Sequence, residues 1–544
     1  MGGSKGGKGS TGFKISRSAA EAGWFFSFTS FSSFVSSISF TSLLLAALLA
    51  LASCSHDSPT EPGVVNFLIE SMPVNLDPRI GTDAQSERID GLIFDSLIEL
   101  DEQRNPKSDL AETWEMPDPR TYIFHLRSGV KFHDGRPLTS ADVKYTFNSI
   151  INGTVTSPKK GTLRFVTSVE TPDANTVIFR LSEPSSGLLP DISRPAMGVV
   201  PVGAGTDFAE RPIGTGAFRF VSAQQDDSVV LERNATYFRA PAKIDQVRFR
   251  VVPEAVVRAL ELRKGTADLE ETSLTPDMIP VLSAEPGIEV AEQPGSNYAY
   301  IAFNFDDTVL GKREVRQALA LATDRDTIIH YLLRGQARKA DGPLPPNSWA
   351  YEPNIRHYGY DPQQAESLLD SAGFPRRADE GGVRLKLTIK TSTEESTRLL
   401  GEALQEQWRK VGVELELKPE EIATLLSDLT RGSFQLSTLR WIGVNNDPEF
   451  FEFAFSSNRI PPMGANRGRY RNAMLDALMD QARVQTDREK RRQLYSEIQK
   501  EVAEELPYLS LWHFDNISVH RKRISNIELA PSGDFDFLRN IEAQ

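Results

Sequence analysis

Apolar positions recur along the chain in two periods, and the two alternate in blocks. Spacings of three and four predict helices. Val143, Phe147 and Ile150 share one helical face behind Thr139, Ser140, Ala141 and Asp142, which read as a capping box. The stretch from Glu254 to Lys264 stops at Gly265, and that from Asp361 to Ala372 stops at Gly373, both C-cap positions. Ser392 to Glu395 reads as a second capping box, opening a helix that carries Leu400, Leu404, Trp408 and Val411 and ends at Gly412. Thr486 to Glu489 opens another, with Leu494, Ile498 and Val502 four apart. Alternation predicts strands: "FHLRSGVKFHDG" (124–135) reads as a half-buried strand pair with Gly129 and Gly135 in its turns. "LKLTIKT", the helix after it and "VELELKP" follow in the order of a βαβ unit, which implies a parallel pair. The class is α/β with mixed sheets, strands denser early and helices denser late, and no internal repeat.

One apolar block fits neither period. No charged residue occurs from Ala22 to Ser53, and Leu43 to Ala50 is almost pure Leu and Ala. Lys5, Lys8, Lys14 and Arg17 precede it. A basic n-region, an apolar h-region and small residues make a signal peptide, 1–53. Leu51, Ala52, Ser53 and Cys54 resemble the four positions of a bacterial lipobox, in which the cysteine is lipidated and becomes the first mature residue. Stable retention needs more than one acyl chain. The competing reading is an uncleaved membrane span, for which the block is long enough but rich in serine. Residues 54–62 read as a tether.

Charge and composition narrow the function. The formal net charge is −13, and the leader is basic, so the remainder is more acidic still. This excludes nucleic acid as a partner, which requires a basic face. Cys54 is the only cysteine, so no disulfide or cysteine zinc site forms within the chain. The seven histidines show no metal-ligand spacing, and His125 and His133 read as hairpin residues. No metal, no cofactor and no catalytic residue is assigned. No GxSxG elbow follows the leader; a carboxylate pair keeps a periplasmic hydrolase open as an alternative. Roughly 490 residues follow Cys54, too many for one core.

"TWEMPDPRTYIFHLRSGVKFHDGRPLTSADVKYTF" (113–147) strongly resembles the signature of the extracellular solute-binding proteins of the peptide and nickel type, family 5. "PIGTGAFRF" (212–220), "ERNATYF" (232–238), "LRKGTADL" (262–269), "YIAFNF" (300–305), "REVRQALALATDRDTII" (313–329), "DPQQAESLLDSAGF" (361–374) and "ELPYLSLW" (505–512) follow in the family's order. Each piece is weak alone; together, in order, they are specific.

The resemblance implies a two-lobed periplasmic-binding-protein-like fold of type II in its large form. Lobe I takes 63–297, with an extra subdomain near 100–210, and recovers 509–544; lobe II takes 298–508. The hinge crossings are placed near Tyr298–Asn304 and Glu505–Trp512. Ligand binds between the lobes, and closure buries it. The implied role is capture of a small solute, an oligopeptide first, by a monomeric, lipid-anchored receptor. It delivers to an ABC permease and ATPase complex at the outer face of the cytoplasmic membrane or in the periplasmic space. A non-peptide solute such as a nickel chelate or a sugar is the alternative. In peptide receptors of the family a carboxylate after a tryptophan, ahead of an acidic-Pro pair, holds the peptide ammonium. Here the stretch is "LRWIGVNNDPEFF": Trp441, Gly443, Asp447 and Pro448 match, but Val444 stands at the carboxylate's position. Trp441 is the expected stacking wall, Asn445 a polar contact and Asp447 a substitute counter-charge. Asn304 is a candidate for ligand contact or hinge locking, and Asp77 for the cleft rim. Arg316 and Asp324 are expected to pair with each other structurally.

Overall fold

The computed structural model describes residues 61–101, 105–443 and 447–544. The leader, Cys54 and most of the tether therefore lie outside the described residues, as do Val444 and Asn445. No described helix is long and apolar enough to cross a membrane.

One eleven-stranded mixed sheet runs through the protein. Its two longest strands, Ile288–Phe303 and Tyr508–Arg521, lie antiparallel at the centre. On one side Leu436–Trp441, Leu385–Ser392 and Val413–Glu420 follow in that order. The last two are parallel, as the βαβ reading requires. On the other side come Leu269–Glu271, Val64–Ile69, Gln246–Val251, Ser228–Arg233 and Phe218–Gln224. The chain thus builds two lobes on one sheet. One lobe's core gathers Phe67, Ile93, Phe249 and Phe535. The other's gathers Ile301, Leu319, Leu404, Trp408 and Leu511. Between them the ladder of the two long strands slips, with Pro294 opposite Asp515 and then Tyr298 opposite His513. That irregularity lies a few residues ahead of the predicted first crossing. A bulge bends a strand at little cost, which suits a hinge.

The helices follow the local signals closely. Ser140–Ile151 starts at Thr139 with its capping box formed, and Val143, Phe147 and Ile150 are buried. Ala255–Lys264 ends at Gly265 with φ 76°, a conformation glycine adopts freely. Two starts differ from expectation. The helix Glu395–Lys410 has Glu394 at its N-cap, because Ser392 still pairs in the sheet opposite Glu420. Arg488–Glu505 is capped by Asp487, whose carboxylate accepts from Lys490 N. Arg316 and Asp324 do not pair with each other. The Arg316 guanidinium donates to the carbonyls of Leu310 and Glu505, and Asp324 caps the helix Arg325–Tyr331.

The expected strand pair at 124–135 also resolves differently. Thr121–Leu126 sits between Ala111–Asp118 and Thr176–Leu181 in a separate four-stranded antiparallel sheet. Residues 131–137 form only a small bridged turn. His133 ties that turn to its neighbour: Nε2 lies 3.0 Å from Gly216 O, and Gly214 N donates to Nδ1. This sheet and the helix Ser140–Ile151 share a core in which Phe147 meets Phe179 edge-on at 5.0 Å. Gly214 and Gly216 explain the "GTG" motif, since a methyl group at either would overlap the backbone of Leu92–Ile93.

Candidate binding cleft

The helix Ala84–Ile93 and the segments around 95–109, 158–164, 190–194 and 532–539 face the segment 442–463 of the other lobe. The space between them is about 700 Å³, large enough for a small solute. Ten of the lining residues are acidic and five are basic. A focused negative potential favours cations in such a space.

Most of these carboxylates have partners within the protein. Asp95 accepts from Thr215 Oγ1 at 2.6 Å and from Tyr237 OH at 2.8 Å. Asp109 and Glu99 share Arg239, and Glu99 also meets Lys107 Nζ at 2.9 Å. Glu87 pairs with Arg194, Asp536 with Arg539, and Glu452 with Arg459. On the far lobe Asp447 and Glu449 share one guanidinium: Arg491 Nη2 lies 3.3 Å from Glu449 Oε1 and 3.7 Å from Asp447 Oδ1. Arg491 is buried over the rings of Trp349 and Tyr495. Burial pushes the Glu449 carboxyl up to about 7; Arg491 opposes this and the Asp447 charge adds to it.

The lobes touch at one edge of the cleft. Ser186 Oγ lies 3.0 Å from Glu449 Oε1 and 2.9 Å from Arg483 O, within reach to donate to either, and Ser186 N donates to Arg483 O at 3.0 Å. Arg483 Nη1 reaches Glu183 Oε1 at 3.0 Å, and its guanidinium lies over Phe165. An acidic, solute-sized cleft between two lobes, strapped at one edge and flanking a two-strand hinge, is built for capture.

A family model described as "Bacterial extracellular solute-binding proteins, family 5 Middle" matches residues 105–461. The chain belongs to this family. It is 28% identical over 470 residues to heme-binding protein A of Haemophilus influenzae, covering 81% of this chain and 85% of that protein. It is 27% identical over 502 residues to di/tripeptide-binding protein 1 of Pseudomonas aeruginosa, covering 86% of this chain and 92% of that one. The solved structure of NikZ from Campylobacter jejuni in complex with Ni(L-His) superposes with a TM-score of 0.76 at 25% identity, covering 89% of this chain and all of that one. The family is one of binding proteins, and its two-lobed fold is the one described above.

For this family 5 protein, the loop singled out by sequence does reach the cleft: Ile442, Gly443, Asp447, Glu449 and Phe450 all line it. Trp441 itself is not among the lining residues. Its ring stacks on Tyr300 at 6.1 Å and meets Phe450 and Phe453 edge-on, so it backs the two phenylalanines that form the wall. Asn304 points away. Its amide donates to Gly432 O and Phe434 O and accepts from Asp306 N, which leaves nothing for a ligand. Asp77 is also turned inward, in a buried fork with Arg79 at 2.9 and 2.7 Å. Asn304 and Asp77 are thus structural, satisfied by local partners. Sequence reasoning passed over Glu449, Glu452, Arg491 and Asp191. The one signal for the first two was "DPEFFEF", which sets two glutamates three apart on one helical face.

Gly187 lies directly against the other side of the cleft, since a methyl group there would overlap the Glu449 carboxylate. Its φ of −80° suits any residue, so a side chain acts through that contact alone. Gly187→Val is expected to hold the lobes apart. In small-angle scattering the variant should show a larger radius of gyration than the parent, with an unchanged denaturation midpoint. An unchanged radius would mean the strap does not govern closure.

Proposed function

We propose that this chain is the receptor of an ABC importer, held to the membrane by lipid on Cys54, which captures a peptide or peptide-like solute in the cleft and hands it to a permease. The observation that carries the reading is the solute-sized cleft between the two lobes, beside a bulged hinge and strapped by Ser186. The di/tripeptide-binding relative supports a peptide; the heme-binding relative and the nickel-histidine complex show how far ligands vary between relatives. A second reading, a non-peptide solute, is favoured by Val444, because valine has no carboxylate to offer a peptide ammonium. Leaving one partner of a buried ion pair unmatched costs about 3–5 kcal/mol.

Native mass spectrometry of the leaderless protein, followed by denaturation and identification of the released molecules, tests the reading. A ladder of short peptides supports a peptide receptor. A single non-peptide species supports the second reading. A protein that carries nothing and takes up nothing contradicts both. Anchoring has its own test: Cys54→Ser is expected to move the full-length protein from the membrane fraction to the soluble fraction, and continued sedimentation with membranes would refute lipidation.

A further inference from the structure

Among the described residues Phe453 is the only phenylalanine left exposed, at 41%, and Met463 is 70% exposed. With Ile442, 47% exposed, both line the lobe II wall of the cleft. The sequence around Phe453 makes its exposure telling. In the helix Phe450–Phe455 the buried face is Phe450, Phe451, Ala454 and Phe455, and Glu452 and Phe453 fall on the other side. A polar residue at 453 would complete an amphipathic helix, and the chain places an aromatic ring there instead. The three side chains are held side by side. Trp441, the neighbour of Ile442, meets Phe453 edge-on at 6.0 Å. Ala465 N donates to Phe453 O at 3.1 Å, which lays the loop carrying Met463 along the helix. Gly464 lets that loop fold back, since a methyl group there would overlap Arg459.

We infer that Ile442, Phe453 and Met463 form an apolar specificity face, which selects solutes carrying an aromatic or large aliphatic group. The inference rests on the capture reading above and deepens it by naming that substrate class. Its ground is the contrast between the two walls. On lobe I, Glu87, Glu99, Asp109 and Asp536 already meet arginines or lysines, and Asp95 meets two hydroxyls. A polar group of the solute competes there with partners already in place. The apolar face has only water to give up, and an apolar group laid on it removes both surfaces from water. Exposed apolar side chains scattered singly are ordinary, but three side by side in a concave, solute-sized space form a binding surface. Their chemistry fits a ring or a branched chain. Phe453 offers an aromatic partner, and Met463 an unbranched, polarizable thioether that adapts to the shape laid against it. Ile442 adds a branched aliphatic edge.

The test titrates Ala-Phe-Ala and Ala-Ser-Ala by calorimetry into the leaderless parent, Phe453→Ser and Met463→Ser, and identifies the solute that co-purifies with each protein. The parent is expected to bind Ala-Phe-Ala roughly tenfold to a hundredfold more tightly than Ala-Ser-Ala, the worth of burying one phenyl ring. The tighter binding should carry a more negative heat-capacity change, the mark of apolar burial. Phe453→Ser should remove most of the preference and Met463→Ser a smaller part. If the parent binds both peptides equally or favours Ala-Ser-Ala, or if both variants keep the preference, the assignment is overturned while the capture reading stands. If neither peptide binds, the co-purified solute decides. A solute with an aromatic or large aliphatic group that Phe453→Ser retains less well supports the assignment. A solute without such a group, or one that both variants retain as the parent does, overturns it and leaves capture standing. A parent that binds neither peptide and carries no solute overturns the capture reading and the assignment together. Phe453 is exposed, so Phe453→Ser should unfold at the parent's denaturation midpoint. If that midpoint falls, Met463→Ser decides alone, since Met463 belongs to no hydrophobic core cluster among the described residues.

Discussion

Arg491→Met is expected to destabilise the protein more at pH 8 than at pH 5, by about 1.4 kcal/mol. The guanidinium is buried and serves two carboxylates, Glu449 and Asp447, so its removal leaves charge without a partner rather than removing a pair. The pH dependence follows from Glu449, whose folded pKa of about 7 lies above its ordinary value. Below that pH Glu449 holds a proton in the folded state and needs little compensation. Above it, the folded state carries the ionised carboxylate, and Arg491 is what offsets it. Methionine keeps much of the packing over Trp349 and Tyr495, so the change reports mainly on charge. Urea unfolding followed by tryptophan fluorescence at the two pH values measures it. Equal losses at both would mean that Arg491 acts through packing instead.

Glu271→Gln is expected to have a large effect of opposite sign. Glu271 ends the central strand Leu269–Glu271, it is buried, and neither carboxylate oxygen has a partner among the described residues. Burial raises its pKa to about 8, with Arg88 opposing and Asp534 and Glu270 adding to the rise. The unfolded chain releases this proton near the ordinary carboxyl value, and the folded chain keeps it until about pH 8. Stability therefore falls as pH rises between those two values and is flat above. Glutamine mimics the protonated form at every pH. At about 1.4 kcal/mol per pKa unit, the variant should gain on the order of 4 kcal/mol at pH 8 and almost nothing at pH 4.5. Parallel unfolding midpoints across that range would show that Glu271 is not protonated in the folded protein.

The legible parts of this protein were those set by neighbours in sequence. The box at Thr139–Asp142, the glycine stop at Gly265 and the parallel strand pair around the helix Glu395–Lys410 all depend on residues a few positions apart. The errors arose where a distant segment competed. Ser392 pairs with Glu420 and so cannot cap, and Thr121–Leu126 takes Thr176–Leu181 as a sheet partner instead of the nearby 130–133. The cleft shows the same division. The loop from Trp441 to Phe450 could be found from its own pattern. The strap joins Ser186 to a glutamate 263 positions away, and no local signal points to it. Asn304 looked available because its partners, Gly432 and Phe434, come from a distant segment; Asp77 is the exception, since its fork is with Arg79, only two positions on, a local pairing that the sequence did carry.

Recovery of bound solute distinguishes capture from chemistry. The solute released from purified protein is identified, added back to stripped leaderless protein, and recovered after prolonged incubation with the solute in excess. One solute is expected to bind per chain and to be recovered chemically unchanged in full. Progressive loss of the solute with appearance of a product would contradict it and make the protein an enzyme, and failure of the stripped protein to rebind would show that the cleft is not the receptor site.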